Sequence, residues 1–77
     1  MSFVVLAHVK PIDELVNPCS WEIELAGQEV IIDIDIGQLI EYEPNYGIWC
    51  KTVHGDDNCI TKRHLTSWEV INWEWFK

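Results

Sequence analysis

The chain has 77 residues, of which 48% are hydrophobic, and it contains five Trp, two Tyr and two Phe. This length predicts one small domain over residues 1–77, and the apolar content disfavours a disordered chain because it suffices for a core. Thirteen acidic residues stand against five basic ones, which gives a formal net charge of −8. A surface of that sign repels nucleic acids and anionic membranes, so we expect direct binding to neither.

The first half of the chain has the pattern of short strands. Residues 2–9 are rich in β-branched and aromatic side chains and stop before a proline, which predicts a strand, and residues 11–17 form a loop or one helical turn. Between residues 21 and 25, Trp, Ile and Leu alternate with Glu, which predicts a second strand. The clearest strand covers residues 29–36, and a further strand is predicted over residues 39–43.

The second half continues in the same way. Strands are predicted over residues 48–53, 59–61 and 67–76, with one 3₁₀ turn between residues 62 and 66. The resulting fold class is mainly β, a small antiparallel barrel or sandwich of five to six strands with at most one short helical turn. Trp49 after a turn, a polar hairpin loop, a short turn near Leu65 and a closing strand are similar in spacing to an SH3-like small barrel.

The hairpin around Gly37 determines where the acidic side chains lie. A three-residue loop pairs Ile36 with Ile40 and places Asp35 opposite Glu41, so that one face is apolar and the other polar. A two-residue turn would instead oppose charged and apolar side chains on both faces, and we therefore prefer the longer loop. The preferred register predicts an acidic ribbon of five carboxylates, Glu29, Asp33, Asp35, Glu41 and Glu43.

The acidic ribbon has two interpretations. Seven carboxylates lie between residues 22 and 43 without one Lys or Arg among them, so local ion pairs cannot neutralise them. Carboxylates that face each other across a sheet destabilise it by up to about 1 kcal/mol per pair, and cations on a partner would relieve that repulsion. The alternative is a solvated face that discourages aggregation. Cover by Lys51, Lys62 and Arg63 would weaken the binding interpretation.

The aromatic residues give a second candidate surface. Trp73 and Trp75 share one face of the predicted last strand, which is either buried on both sides or exposes an aromatic patch for a partner. Trp21 and Trp49 are expected in the core. An alternative peptide groove for Pro-rich or basic ligands would use four aromatic residues, Tyr42, Tyr46, Trp49 and Trp68.

Cysteine and histidine residues suggest no cofactor. Three cysteines without a CxxC pair do not describe a disulfide framework, which predicts reduced thiols and a cytoplasmic location. The residues Cys50, His54, Cys59 and His64 are of the types that bind zinc, but they lack the close Cys pairs of zinc sites, so we predict no metal. No signal peptide, membrane span, phosphate-binding loop, nucleophile elbow or HExxH motif is present in the sequence, and we expect no enzyme.

Three functional hypotheses remain open. The first is an inhibitor or adaptor that occupies a basic, nucleic-acid-binding surface on a partner protein; in size and charge the chain resembles the compact acidic antagonists of host defence that phages encode, including DNA mimics and anti-CRISPR proteins. The second is an SH3-like barrel that binds Pro-rich or basic peptides. The third is a subunit of a larger complex or a homodimer that forms through the C-terminal strand.

Overall fold

The computed structural model describes residues 3–72, apart from the side chain of Ile36. Within these residues, five strands form one sheet: β1 (Phe3–Val9), β2 (Glu29–Ile32), β3 (Gly47–Thr52), β4 (Asp57–Thr61) and β5 (Leu65–Asn72). The same part of the chain has two short helices between the strands, α1 (Ser20–Leu25) and α2 (Ile36–Glu41), and two 3₁₀ turns, Ile12–Glu14 and Lys62–His64. The mainly β prediction is confirmed.

The strand order in the sheet is β4-β3-β2-β1-β5, and every pair of neighbours is antiparallel. Among the described residues the strands form one open sheet with β4 and β5 at its two edges, so the predicted barrel or sandwich is present neither as a closed barrel nor as two packed sheets. Closure needs edge strands that pair with one another. Here β5 pairs with β1, and this is the most extensive pairing in the sheet, so β5 and β4 lie at opposite edges. Strand β2, at the centre of the sheet, has only four residues.

The main core lies on the sheet face that both helices cover. Strand residues such as Val5, Val30 and Ile60 are almost completely buried there, and the helices contribute Leu25 and Leu39. Side chains alternate between the faces of a strand, so the residues between these core positions point to the other face. A smaller apolar cluster is buried on that opposite face and consists of Val4, Leu6, Ile31 and Ile71.

Helix α1 replaces the strand that was predicted around Trp21. The backbone amide of Cys19 donates to the Glu22 carboxylate in a capping box, which starts a helix at Ser20. Glu22 and Leu25 are three residues apart, so they lie on the same face of this helix, and both are buried. Trp21 lies on another face and is exposed. The strand prediction is therefore wrong, as is the expectation that Trp21 lies in the core.

Helix α2 replaces the predicted hairpin around Gly37. Asp35 caps the helix, because its carboxylate accepts hydrogen bonds from the amides of Gly37 (2.8 Å) and Gln38 (3.4 Å). Strand β2 consequently ends at Ile32 and pairs with β3, and no strand covers residues 39–43. The preferred three-residue register is wrong, and so is the limit of one helical turn.

The remaining predicted elements agree with the structure. Strands β1, β3 and β4 lie within a residue or two of their predicted positions, and the second 3₁₀ turn falls where one was expected. The predicted last strand corresponds to β5, which begins at Leu65 and is described as far as Asn72. The part of that prediction beyond residue 72, including Trp73 and Trp75, lies outside the described residues.

Candidate protein-binding surface

The five carboxylates of the predicted ribbon do not share one sheet face. Glu29 lies on β2 and Asp33 directly follows it, whereas the other three belong to α2 and its two ends. All five side chains are exposed. The ribbon as a feature of a rigid hairpin is therefore wrong, because the segment after β2 forms a helix. The proposal that these residues contact a partner is a separate matter and stays a prediction.

The basic residues Lys62 and Arg63 form no ion pair with these carboxylates among the described residues. The Lys62 ammonium donates to the backbone carbonyls of Ile40 and Tyr42, so it holds the C-terminal end of α2. The Arg63 guanidinium donates to the Asn45 side chain (2.9 Å) and to the Val16 carbonyl (3.1 Å). Lys62 therefore holds the end of α2, on the carbonyls that flank Glu41, and Arg63 holds a loop. Neither cation forms an ion pair with a carboxylate of the predicted ribbon within residues 3–72.

Two surface carboxylates lie close enough to a basic side chain to form an ion pair. The Lys51 ammonium lies 2.9 Å from the Asp57 carboxylate, and the His8 imidazole lies 3.9 Å from that of Glu29. Among residues 3–72, no ion pair involves the other four members of the predicted ribbon, which are Asp33, Asp35, Glu41 and Glu43. The carboxylates at the end of β2 and around α2 thus have no ion-pair partner in this part of the chain.

Glu22 is removed from the acidic surface, because it is buried against His64. Nδ1 of His64 donates to the Glu22 carboxylate, which also accepts from the amides of Thr61 (3.1 Å) and Cys19 (3.3 Å). Burial by itself raises the pKa of Glu22, but the hydrogen bonds from His64, Thr61 and Cys19 outweigh it and lower that pKa below 4.5. Glu22 is therefore ionised and serves the fold.

Three of the four aromatic residues of the alternative groove come together. Tyr42 and Tyr46 stack with ring centroids 4.7 Å apart and planes 7° from parallel. They line one hollow of about 360 Å³ with Trp49, at the point where β2 ends and β3 begins; we call it the aromatic hollow. Trp68 lies on β5 and packs against the main core, so the structure separates it from the other three.

Trp49 is the most exposed large apolar residue of the described chain, at 72%. It points to the sheet face opposite its strand neighbours Ile48 and Cys50, which are buried in the main core. The expectation that Trp49 is a core residue is therefore wrong. An indole in this position contributes little to the core and is available to a ligand.

Asp33 joins the acidic surface to the aromatic hollow. Strands β2 and β3 pair Val30 with Thr52 and Ile31 with Lys51, and this pairing brings the segment after β2 alongside the start of β3, where Trp49 lies. Asp33 and Trp49 line the aromatic hollow together, and they also line a smaller hollow of about 180 Å³ beside Lys51 and Asp57. Sequence reasoning missed this neighbourhood because it paired residues 29–36 with residues 39–43.

The thiols and imidazoles do not converge on a metal site. Cys50 is buried in the main core, whereas Cys59 pairs with Trp49 in the register of β3 and β4, and His64 is held by Glu22. Across residues 3–72, the structure contains no group of three or more His, Cys, Asp or Glu residues placed to hold a metal ion. All three cysteines are free thiols. Burial, with a smaller effect of Cys59, raises the pKa of Cys50 to about 12, so this thiol is a poor nucleophile.

Comparisons with known proteins give no relatives, because no protein family, curated protein or solved structure matches this chain. In the part of the chain that the structure covers, no helix is long and apolar enough to cross a membrane. The hypothesis of a homodimer through the last strand stays a prediction, and β5 does lie at an edge of the sheet.

Proposed function

We propose that this chain is a small acidic protein-binding module, an inhibitor or adaptor that engages a basic surface on a partner protein. The observation that carries the proposal is the juxtaposition of the exposed Trp49 indole with Asp33, at the border of the α2 region, where the exposed carboxylates form no ion pair among the described residues. At protein interfaces, an aromatic side chain that becomes buried on binding is often surrounded by a rim of charged residues.

Electrostatics support a basic partner in particular. A net charge of −8 attracts a cationic surface over long distances and speeds its association. Binding would also relieve the repulsion among the carboxylates around α2. A surface that ordinarily binds nucleic acid is the natural complement, and the finer form of this proposal is an antagonist of the phage anti-defence or DNA-mimic type. In this proposal the chain catalyses no reaction and binds no nucleic acid, membrane or cofactor.

The experiment begins with affinity capture of partners from the native host, followed by mass spectrometry. The captured partner is then tested against two variants that lose the same charge. The first removes three unpaired carboxylates near the aromatic hollow and α2, through Asp33→Asn, Glu41→Gln and Glu43→Gln. The matched control removes three exposed carboxylates elsewhere, through Asp13→Asn, Glu14→Gln and Glu24→Gln.

We expect the first variant to bind the partner about tenfold or more weakly, since each rim charge contributes up to about 1 kcal/mol, and the control to bind within about threefold of the wild type. Equal affinity of the wild type and the first variant would overturn the proposal. So would a captured partner whose binding surface is acidic.

A second candidate function is the binding of Pro-rich or basic peptides in the aromatic hollow. The stacked Tyr42–Tyr46 pair and Trp49 favour it, because parallel aromatic rings with an exposed indole form the kind of groove that holds extended peptides. Replacement of Trp49 by Ala should abolish peptide binding and leave the domain folded, since the side chain is largely exposed. A Trp49→Ala variant that binds as the wild type does would remove this candidate.

A further inference from the structure

The Asp33–Trp49 pair combines two features that recognise one kind of side chain. The Trp49 side chain is largely exposed to solvent, and Asp33 has a carboxylate without an ion-pair partner among the described residues. Both line the aromatic hollow and the smaller hollow, so one bound group has both side chains within its surroundings at either place. A planar cation satisfies an indole face and a carboxylate at the same time.

We propose that the Asp33–Trp49 pair is an arginine-binding subsite, in which an arginine of the partner protein stacks on the Trp49 indole and donates hydrogen bonds to the Asp33 carboxylate. This inference rests on the proposed function and names the side chain that the surface selects. The partner is accordingly a protein with an exposed arginine in its basic surface, the residue type that also dominates phosphate recognition.

Arginine fits this subsite better than lysine for geometric reasons. The guanidinium group is flat, so one face can lie on the indole while its edge donates two parallel hydrogen bonds to a carboxylate. An ammonium is a compact, strongly hydrated charge that can approach either group but cannot stack. Stacking on Trp is also the strongest form of the cation–π interaction in proteins.

The surroundings of the subsite leave the carboxylate of Asp33 free for this role. Lys51, the nearest cation of the smaller hollow, is already paired with Asp57 at 2.9 Å. On the other side, the Tyr42–Tyr46 stack and Ile34 form an apolar wall that suits the methylene chain of an arginine. Asp35, by comparison, uses its carboxylate to cap α2.

The test uses two short synthetic peptides that differ only in carrying arginine or lysine at the same positions. Each is titrated into the ¹⁵N-labelled full chain while the indole N–H signals are followed by NMR, and the Trp49→Phe variant assigns the Trp49 signal. The variants to compare are Asp33→Asn at the subsite and Glu24→Gln as an equal loss of charge on an exposed position of α1. A Trp49→Leu variant provides a second, independent removal of the stacking surface.

The arginine peptide should shift the Trp49 indole signal and bind about threefold or more tightly than the lysine peptide. Asp33→Asn should lower the affinity for the arginine peptide by about fivefold, and Trp49→Leu should lower it by a similar factor. Glu24→Gln should change this affinity by less than about twofold. Equal affinities for the two peptides, equal effects of Asp33→Asn and Glu24→Gln, or no response at Trp49 would overturn the subsite. These outcomes do not contradict the proposed function, because that proposal has its own test. It fails when the host partner binds the variant that lacks three carboxylates as tightly as it binds the wild type.

Discussion

The carboxylate of Glu22 and the imidazole of His64 form a buried hydrogen-bonded couple, with side chains exposed by only 6% and 2%. The amide of Val16 donates to the second ring nitrogen of His64, Nε2 (3.2 Å), which must therefore carry a lone pair. Nδ1 is consequently the ring nitrogen that donates to Glu22. The couple ties α1, the loop before it, the end of β4 and the 3₁₀ turn that leads into β5.

Loss of this couple should destabilise the domain strongly. Replacement of Glu22 by Ala leaves buried donors on His64 and Thr61 without an acceptor, so we expect the free energy of unfolding to fall by about 2 to 3 kcal/mol. Urea unfolding followed by circular dichroism measures the change. Glu24→Ala on the exposed face of the same helix is the control and should change stability by less than about 0.5 kcal/mol. Equal effects of the two substitutions would contradict the buried couple.

Stability should depend on pH through Glu22. Its pKa in the folded protein is lowered below 4.5, so the ionised carboxylate stabilises the fold. This contribution is complete above the ordinary pKa and is lost as the pH falls from there through the lowered folded pKa. The difference in unfolding free energy between the wild type and Glu22→Gln, measured in urea at a series of pH values, should therefore shrink towards low pH. A difference that is independent of pH would show that the charge of Glu22 plays no part.

The N-cap of α2 gives a test of whether the segment around Gly37 forms a helix or the hairpin that was predicted from the sequence. Asp35→Ala removes the acceptor for the amides of Gly37 and Gln38 and should cost about 1 kcal/mol of stability. Asp33→Ala is the matched control, because Asp33 is exposed and caps no helix. In the hairpin both carboxylates would lie on the same solvated face, so similar effects of the two substitutions would contradict α2.

The three thiols should differ in their reactivity. Cys19 is exposed, whereas burial raises the pKa of Cys50 to about 12 and also raises that of Cys59. Since the thiolate is the reactive form, a maleimide or disulfide reagent at mildly alkaline pH should modify Cys19 first and Cys50 only when the protein unfolds. Mass spectrometry of the digested protein at successive times gives the order. Rapid labelling of Cys50 in the folded protein would contradict its place in the core.

The strands were predictable where the sequence pattern is compatible with only one type of secondary structure. Residues 3–9 are apolar except for His8, and such a run suits a strand that is buried on both faces, as β1 is. The two helices were missed because each has only six residues, which is too few for a period of 3.6 to differ clearly from a period of 2. Asp35 followed three residues later by Gln38 was a signal for a helix start that the isoleucine alternation obscured.

The candidate site was predictable in its residue types but not in its arrangement. Asp33 and Trp49 were each identified from the sequence, one as part of an acidic set and one as part of an aromatic groove. Their proximity depends on the pairing of β2 with β3, which are separated by α2 and its loops. A hairpin over residues 29–43 leaves no room for that pairing. The burial of Glu22 was unpredictable for a related reason, since His64 is 42 residues away in the chain.

The most direct test of the central claim is the dissociation constant of the captured host partner, measured by calorimetry from low to high ionic strength. The proposed function predicts that affinity falls steeply as salt is added, because salt screens the attraction between the uncompensated carboxylates and the partner's cations. It also predicts a shallower dependence for the variant that lacks the carboxylates of Asp33, Glu41 and Glu43. A dissociation constant that stays constant across the salt series would contradict the claim.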